Sequence, residues 1–475
     1  MSSHDLCEST LAARYAGAEM AALWTATARA RAWRECWIAL AEAEQELGAP
    51  VTKEQVEALR RTKDAIDLDR VAAIEAETRH DVMAHIAQWG EACPEAAGII
   101  HLGATSAFVT DNGDALLQRR ALGLVRVRLV QLVRALAELA RREADRPCLG
   151  YTHFQPAQPT TIGKRAGLWL QDAVSDLLEV EARAAELPCR GAKGTTGTQA
   201  SFLALFQGDA ARVAELDRRV AAKLGFARSV DLCGQTAPRK LETRLADALA
   251  GLAPTLTKLG EDVRLLSHTG ELREAFGEKQ VGSSAMPYKR NPMRAERLCS
   301  LARLLPAYRQ VVVETAMHQW LERSLDDSAA RRVALPDLFL AADGALRTAV
   351  DLVSGLAVEP RVTSELLARE GPFLAVEELL VRGVAAGGDR QALHEALRRH
   401  AVAVRGQPEA GQAFLTRLQG DPAFAVLSGQ LGELCDPAGR IGLAATQVRR
   451  YLAEVVDPLL AARSDVPGPR DPLRV

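Results

Sequence analysis

Aromatic side chains are scarce, at 4% of 475 residues, while Ala, Leu, Arg and Glu abound. A chain rich in strong helix formers and poor in the bulky residues that strands favour does not read as a β-sandwich. Charge of neither sign is in large excess: 59 Lys plus Arg stand against 61 Asp plus Glu. That balance gives no reason to expect nucleic acid or an anionic membrane as partner, so anion recognition must come from local clusters. No long apolar run suggests a membrane span. The opening residues, Met1 to Glu8, lack the basic region and apolar run of a secretion signal. None of the eight cysteines forms a Cys-x-x-Cys pair, so zinc-ribbon and thioredoxin-like readings have no support. Reduced thiols in a cytoplasmic protein are the simplest expectation. No metal-ligand cluster, redox motif or dinucleotide fingerprint is found either, and no cofactor is expected.

What is present is helical periodicity at unusual length. From about Asp111 to Asp145 there is no proline, and Leu122, Val125, Leu129, Leu132, Val133, Leu136 and Leu139 recur at spacings of three and four. Comparable patterns cover about 160–187, 236–267, 292–317 and 335–356, with Pro254 and Pro306 as candidate kinks. Earlier, residues 20–47 read as one helix whose tryptophans, Trp24, Trp33 and Trp37, belong to a core, and 52–90 as further helices. Several long helices in one segment predict an elongated all-α bundle with broad apolar faces along which subunits associate. Gly-Pro breaks after 358 shorten the helices. The chain divides into an N-terminal helical domain (1–105), a central bundle (106–358) and a C-terminal helical domain (359–475). The Pro-rich tail, 465–472, reads as disordered.

Between these helices lie polar stretches that carry chemistry. The most pointed is Gly282-Ser-Ser-Ala-Met-Pro-Tyr-Lys-Arg-Asn-Pro292. Pro287 and Pro292 exclude regular structure, and Gly282 allows a sharp turn. Two hydroxyls, a cation and an amide are thereby confined to one loop. Arg190-Gly-Ala-Lys-Gly-Thr-Thr-Gly looks superficially like a phosphate loop but lacks the Gly-x4-Gly-Lys-Ser/Thr spacing, which excludes nucleotide hydrolysis of that kind.

The 282–292 string is similar to the signature of the fumarase/aspartase superfamily of lyases. Its Tyr288 and Arg290 fillings, followed by Met293-Arg294, resemble the animal-type adenylosuccinate lyases in particular. The resemblance runs from Arg14-Tyr15 into the last hundred residues. Arg79-His80-Asp81 with His85 resembles the family's first histidine motif, and Thr152-His153, in Thr-His-x-Gln-Pro-Ala-Gln, its second. It implies a three-domain all-α fold, a homotetramer and β-elimination without a cofactor; because the long helix holds His80 and Thr105 about 50 Å from His153, active sites shared between subunits are expected. Ser283 is implied as base and His153 as acid. Lys289 and Asn291 are implied to stabilise the aci-carboxylate formed on proton loss. His80, Thr105 and Ser106 would orient the succinyl group, with Arg79, Asp81, Thr152 and Gln235 also binding substrate. Arg14, Tyr15, Arg297, Arg323, Ser328 and Arg332 would hold a phosphate, for which the planar guanidinium fork is suited. The implied substrates are adenylosuccinate and the succinyl-carboxamide ribotide of purine synthesis. Argininosuccinate and malate, the substrates of sister families, carry no phosphate and would not call for the arginines. The other class of reading is a structural protein that keeps the fold without the activity.

Overall fold

The computed structural model describes residues 9–469 except Glu278, Pro408 and Ala438. The N-terminal stretch Met1–Glu8 and the end of the tail, 470–475, lie outside the described residues.

Four helices form the spine: Ser106–Arg142, Ile162–Glu186, Lys240–Thr269 and Asp327–Ser354. The first has 37 residues and is about 55 Å long. Its buried residues include the consecutive set Leu129 to Val133, so it is enclosed on more than one face and occupies the middle of the bundle. Leu122, Val125, Leu136, Leu170, Leu249, Leu256, Phe339 and Leu346 meet there in one apolar core. Each fully buried Leu contributes about 1.5–3 kcal/mol. The all-α expectation holds. Strand is confined, among the described residues, to two short antiparallel pairs: Pro147–Thr152 with Gln155–Thr161, and Leu272–Arg273 with Ala357–Val358.

Several boundaries differ from the sequence reading. The central helix begins at Ser106, five residues before the expected Asp111, and Phe108 and Val109 are buried in its first turn. The 20–47 segment is two helices, Ala18–Leu23 and Ala26–Glu46, because Thr25 adopts an extended conformation and its side chain accepts from the Ala28 amide as an N-cap. The 292–317 segment is also two, Met293–Ala302 and Leu304–Met317. Pro306 has no N–H, and its ring opposes the carbonyl of Ala302, so the break falls between them. Pro254 and Pro336 are instead accommodated inside helices, and the last long helix starts at Asp327, eight residues earlier than the apolar pattern indicates.

Two further cores flank the bundle. Trp37, Trp89, Phe108, Phe202, Leu216 and Phe226 form one, joining the N-terminal helices to the 187–226 segment. Leu379, Leu397, Phe414, Leu418 and Phe424 form the other among the short C-terminal helices. The chain then returns to the bundle: Val448, Leu452, Val456 and Val466 belong to the central core. Residues 465–469 are therefore not disordered as expected. Val466 is buried, its carbonyl accepts from Arg134, and the Pro467 carbonyl accepts from Gln131 Nε2 at 3.0 Å. An apolar valine among the prolines and charges is enough to anchor them.

Candidate active site

A cavity of about 270 Å³ opens where the Ser106–Arg142 helix starts. Residues 80–82, 23–33, Gln235, Arg239 and the 323–336 segment enclose it. Thr105 is the N-cap residue of that helix but its side chain makes no capping bond. The first-turn amides thus lack a side-chain cap, and a helix start of this kind favours an anion. Gln235 Nε2 stands 3.5 Å from Thr105 Oγ1.

His80 caps the Asp81–Ala92 helix, its Nδ1 accepting from the Met83 amide at 3.3 Å. A ring nitrogen that accepts carries no proton, so the neutral imidazole holds its proton on Nε2. That atom lies 3.5 Å from Ser106 Oγ and lines the cavity with it. His85, one turn on, does not: it packs against the Trp33 ring at 5.0 Å, and burial lowers its pKa to about 4. Arg79 closes the preceding helix, Leu68–Thr78, in the left-handed conformation and is not part of the cavity lining.

The helix after Gln235 starts at Lys240, four residues later than the 236–267 pattern indicates. Pro238 disfavours helical backbone at the residue before it, and Gln235 sits in a clamped loop. Its carbonyl accepts from the buried Arg190 at 2.7 Å, and its amide donates to the Glu322 carbonyl at 2.9 Å. The Arg190–Gly197 stretch, far from cradling phosphate, holds this loop in place. A Cβ at Gly197 would lie 1.8 Å from the Cys233 carbonyl oxygen, so only glycine allows the approach.

The arginine-rich segment supplies the charge. Arg323, Ser328 and Arg332 line the cavity, together with Arg29, Arg239 and Arg331. Arg332 Nη2 donates to Asp81 Oδ2 at 2.9 Å. Beneath them lies an ion-pair network that sequence reasoning missed. Arg239 bonds Asp111 and Asp327; Arg331 bonds Glu242 and Asp114. Burial alone would raise the Asp111 pKa, but Arg239 and Arg331 outweigh it and hold it below the usual carboxylate range. For Asp114 burial wins and the pKa is raised. Trp24 and Trp33 also line the cavity, besides packing as expected of core residues.

The other expected residues lie elsewhere in the chain. Thr152 and His153 belong to the hairpin that follows the far end of the central helix. His153 and Phe154 both have positive φ, as a two-residue hairpin turn of type I′ requires. Non-glycine residues rarely adopt that conformation, and here it exposes the His153 ring at the tip.

The 282–292 loop follows the strand Leu272–Arg273, which pairs at the C-terminal end of the Asp327–Ser354 helix. Tyr151 Oη donates to Glu271 at 3.3 Å, so hairpin and loop base share one end of the bundle. In the loop, Ser283 Oγ accepts from the amides of Ala285 and Met286 at 3.3 and 3.1 Å. Donors aimed at an oxygen favour its deprotonated form. Asn291 Nδ2 donates to the Gly282 carbonyl at 3.0 Å, so it closes the loop with the donor that was expected to reach the substrate. Lys289 is exposed. Arg297 follows on the Met293–Ala302 helix, outside the cavity lining.

Arg14 and Tyr15 end a short π-helical turn against the middle of the Asp327–Ser354 helix. The Tyr15 carbonyl accepts from Arg347 at 3.1 Å, and the Gly17 amide donates to Asp343 at 2.6 Å. They stand about 18 Å along that helix from Arg332.

The structure therefore sorts the expected residues into two sets at opposite ends of the bundle. His80, Asp81, Thr105, Ser106, Gln235, Arg323, Ser328 and Arg332 are at one end; Thr152, His153, Ser283, Lys289 and Asn291 are at the other. Among the described residues no group of three or more His, Cys, Asp or Glu side chains could hold a metal ion.

Comparison with known proteins shows the family. A family model described as lyase matches residues 15–304, and one described as adenylosuccinate lyase C-terminus matches 372–451. Adenylosuccinate lyase from Saccharomyces cerevisiae is 44% identical and that from Schistosoma mansoni 43%, each over 96% of both chains. Among solved structures, 3-carboxy-cis,cis-muconate lactonizing enzyme from Pseudomonas putida superposes with a TM-score of 0.81 at 25% identity, covering 96% of this chain and 100% of that one. A fumarate lyase from Mesorhizobium sp. BNC1 shares the fold, with a TM-score of 0.80 at 23% identity, over 94% and 99% of the two chains. By full-length identity, by both family models and by fold, the chain belongs to the adenylosuccinate lyases of the fumarase/aspartase superfamily.

Proposed function

We propose that this protein cleaves adenylosuccinate to AMP and fumarate, and by the same chemistry cleaves the succinyl-carboxamide ribotide of purine biosynthesis to its carboxamide and fumarate. Ser283 removes the proton beside the succinyl carboxylate. The electron pair left behind spreads into that carboxylate as an aci-dianion, which Lys289 and loop amides stabilise. The pair then forms the double bond of fumarate as the C–N bond breaks, and His153 returns a proton to the leaving nitrogen. Proton transfers alone balance the step.

The observation that carries the reading is the arginine-lined cavity beside the uncapped helix start at Thr105-Ser106. It presents the guanidinium groups of Arg29, Arg323 and Arg332 above Arg239 and Arg331, which Asp111, Asp114, Glu242 and Asp327 already pair, and that suits an anionic ligand with a phosphate. Binding energy from the phosphate, distant from the reacting carbons, aligns them for elimination. Arg14, Tyr15 and Arg297 join the phosphate site in the assembled enzyme.

Since acid and base stand at one end of a 55 Å helix and His80 at the other (about 1.5 Å per residue), a complete site draws on more than one subunit. A cytoplasmic homotetramer of antiparallel bundles supplies that arrangement. We take 1–105, 106–358 and 359–475 as its three domains, with the core of the first extending to residues 187–226 and the end of the third packed on the central bundle. Among the described residues no helix is long and apolar enough to cross a membrane.

A spectrophotometric assay of fumarate release tests the reading. Turnover of adenylosuccinate is expected; a folded, inert oligomer would instead support a structural protein.

A further inference from the structure

Asp327 is the first residue of the Asp327–Ser354 helix, and its side chain is fully buried although it borders the cavity. Both carboxylate oxygens are committed. Oδ1 accepts from Arg323 Nη1 at 2.7 Å, and Oδ2 accepts from Arg239 Nε at 2.6 Å. Arg239 is itself buried and held from the other side by Asp111, at 3.2 and 3.3 Å. The same nitrogen of Arg323 also donates to the Ser324 carbonyl at 2.6 Å. Arg323 is therefore restrained from one edge, while its side chain keeps 30% of its surface exposed.

This geometry is what an anion-binding arginine needs. A guanidinium on a free chain loses rotamer entropy on each binding event, which weakens affinity. A buried acceptor that fixes one edge removes that loss beforehand and leaves the remaining N–H groups to the ligand. A carboxylate placed directly against a phosphate would repel it, but both oxygens of Asp327 are turned onto guanidinium groups. We propose that Asp327, braced by Arg239 and Asp111, is a positioning residue that presents Arg323 to the phosphate of the substrate. The assignment rests on the phosphate role given to Arg323 above.

The test is a double-mutant cycle on the full-length enzyme, read by KM and kcat for adenylosuccinate and by calorimetric Kd for AMP. D327N keeps the shape but puts an NH2 donor against one of the two guanidiniums. It is expected to raise KM and Kd by on the order of 10- to 100-fold with kcat within about threefold. In an R323A background it should add less than about twofold, since its effect acts through Arg323. A second variant, R323K, lies at a half-open position and does not depend on D327N folding. It keeps the charge but loses the fixed fork, and its affinity should fall nearly as far as that of R323A. Wild-type affinity in D327N or in R323K would overturn the proposal. So would a D327N effect that persists undiminished without Arg323, which marks a merely structural role. AMP binding that follows the cycle in a chain releasing no fumarate would sink the lyase reading and leave the assignment of Asp327 standing.

Discussion

Arg332 and Asp81 are joined across 251 residues of sequence, Nη2 donating to Oδ2 at 2.9 Å, and the pair ties the Asp327–Ser354 helix to the start of the Asp81–Ala92 helix. The Arg332 side chain keeps 54% of its surface exposed, so the ion pair itself contributes only about 0.2–1 kcal/mol. Its consequence is for binding: a phosphate that reaches Arg332 competes with a weakly held carboxylate. Arg332→Ala is expected to weaken AMP and adenylosuccinate binding by about 1.5–3 kcal/mol, the range for a hydrogen bond to a charged group. Thermal stability should barely move. Calorimetry with AMP checks this, and unchanged affinity would reduce the arginine to a solvated surface group.

His80 and His153 cannot meet in one chain, because the 37-residue helix Ser106–Arg142 lies between them. His80→Ala and His153→Ala should each be nearly inactive. After mixing, dissociation and reassembly, activity should return, in on the order of a quarter of the sites for an equal mixture of two-subunit sites. Hybrid oligomers verified by mass spectrometry but without activity would refute the shared site.

Gly282 closes the signature loop at a point no side chain can occupy. A Cβ there would lie 1.9 Å from the Lys289 carbonyl oxygen, which is backbone and cannot swing away. Gly282→Ala should reopen the loop, displace Ser283 and Lys289, and lower kcat by about 100-fold or more. The loop is otherwise largely exposed, so the melting temperature should stay near the wild-type value. Retained kcat in this variant would show that the observed closure is not the active one.

Glu44 is fully buried, and neither carboxylate oxygen has a hydrogen-bond partner among the described residues. Burial raises its pKa from 4.5 to about 9. Between those values the native state holds a proton that the unfolded chain has lost, so stability falls as pH rises. Glu44→Gln removes this dependence. Its stability relative to wild type should grow by about 1.4 kcal/mol per pH unit across that window. Urea unfolding at pH 6, 7 and 8 measures it, and a constant difference would mean that Glu44 finds a partner in the assembly.

Much of this protein is legible in its residues alone. Apolar spacing marks the long helices because a helix core repeats every 3.6 residues whatever it packs against. The 282–292 string, the two histidine motifs and the arginine segment are recognisable because chemistry demands particular side chains in short order. Tertiary structure decided the rest. Nothing in the sequence pairs Arg239 with Asp111 or Asp327, and only packing shows that these opposite charges, 128 and 88 residues apart, bury one another. Thr25 and Pro306 break helices that periodicity runs together, since a local cap or a missing N–H outweighs an apolar repeat. That Ser283 lies at the same end as His153 is likewise invisible in a string of letters, but the separation of His153 from His80 can be read from the length of the apolar pattern between them. It follows from a helix being rigid over its whole length, which carries residues adjacent in the chemistry to opposite ends of the same molecule.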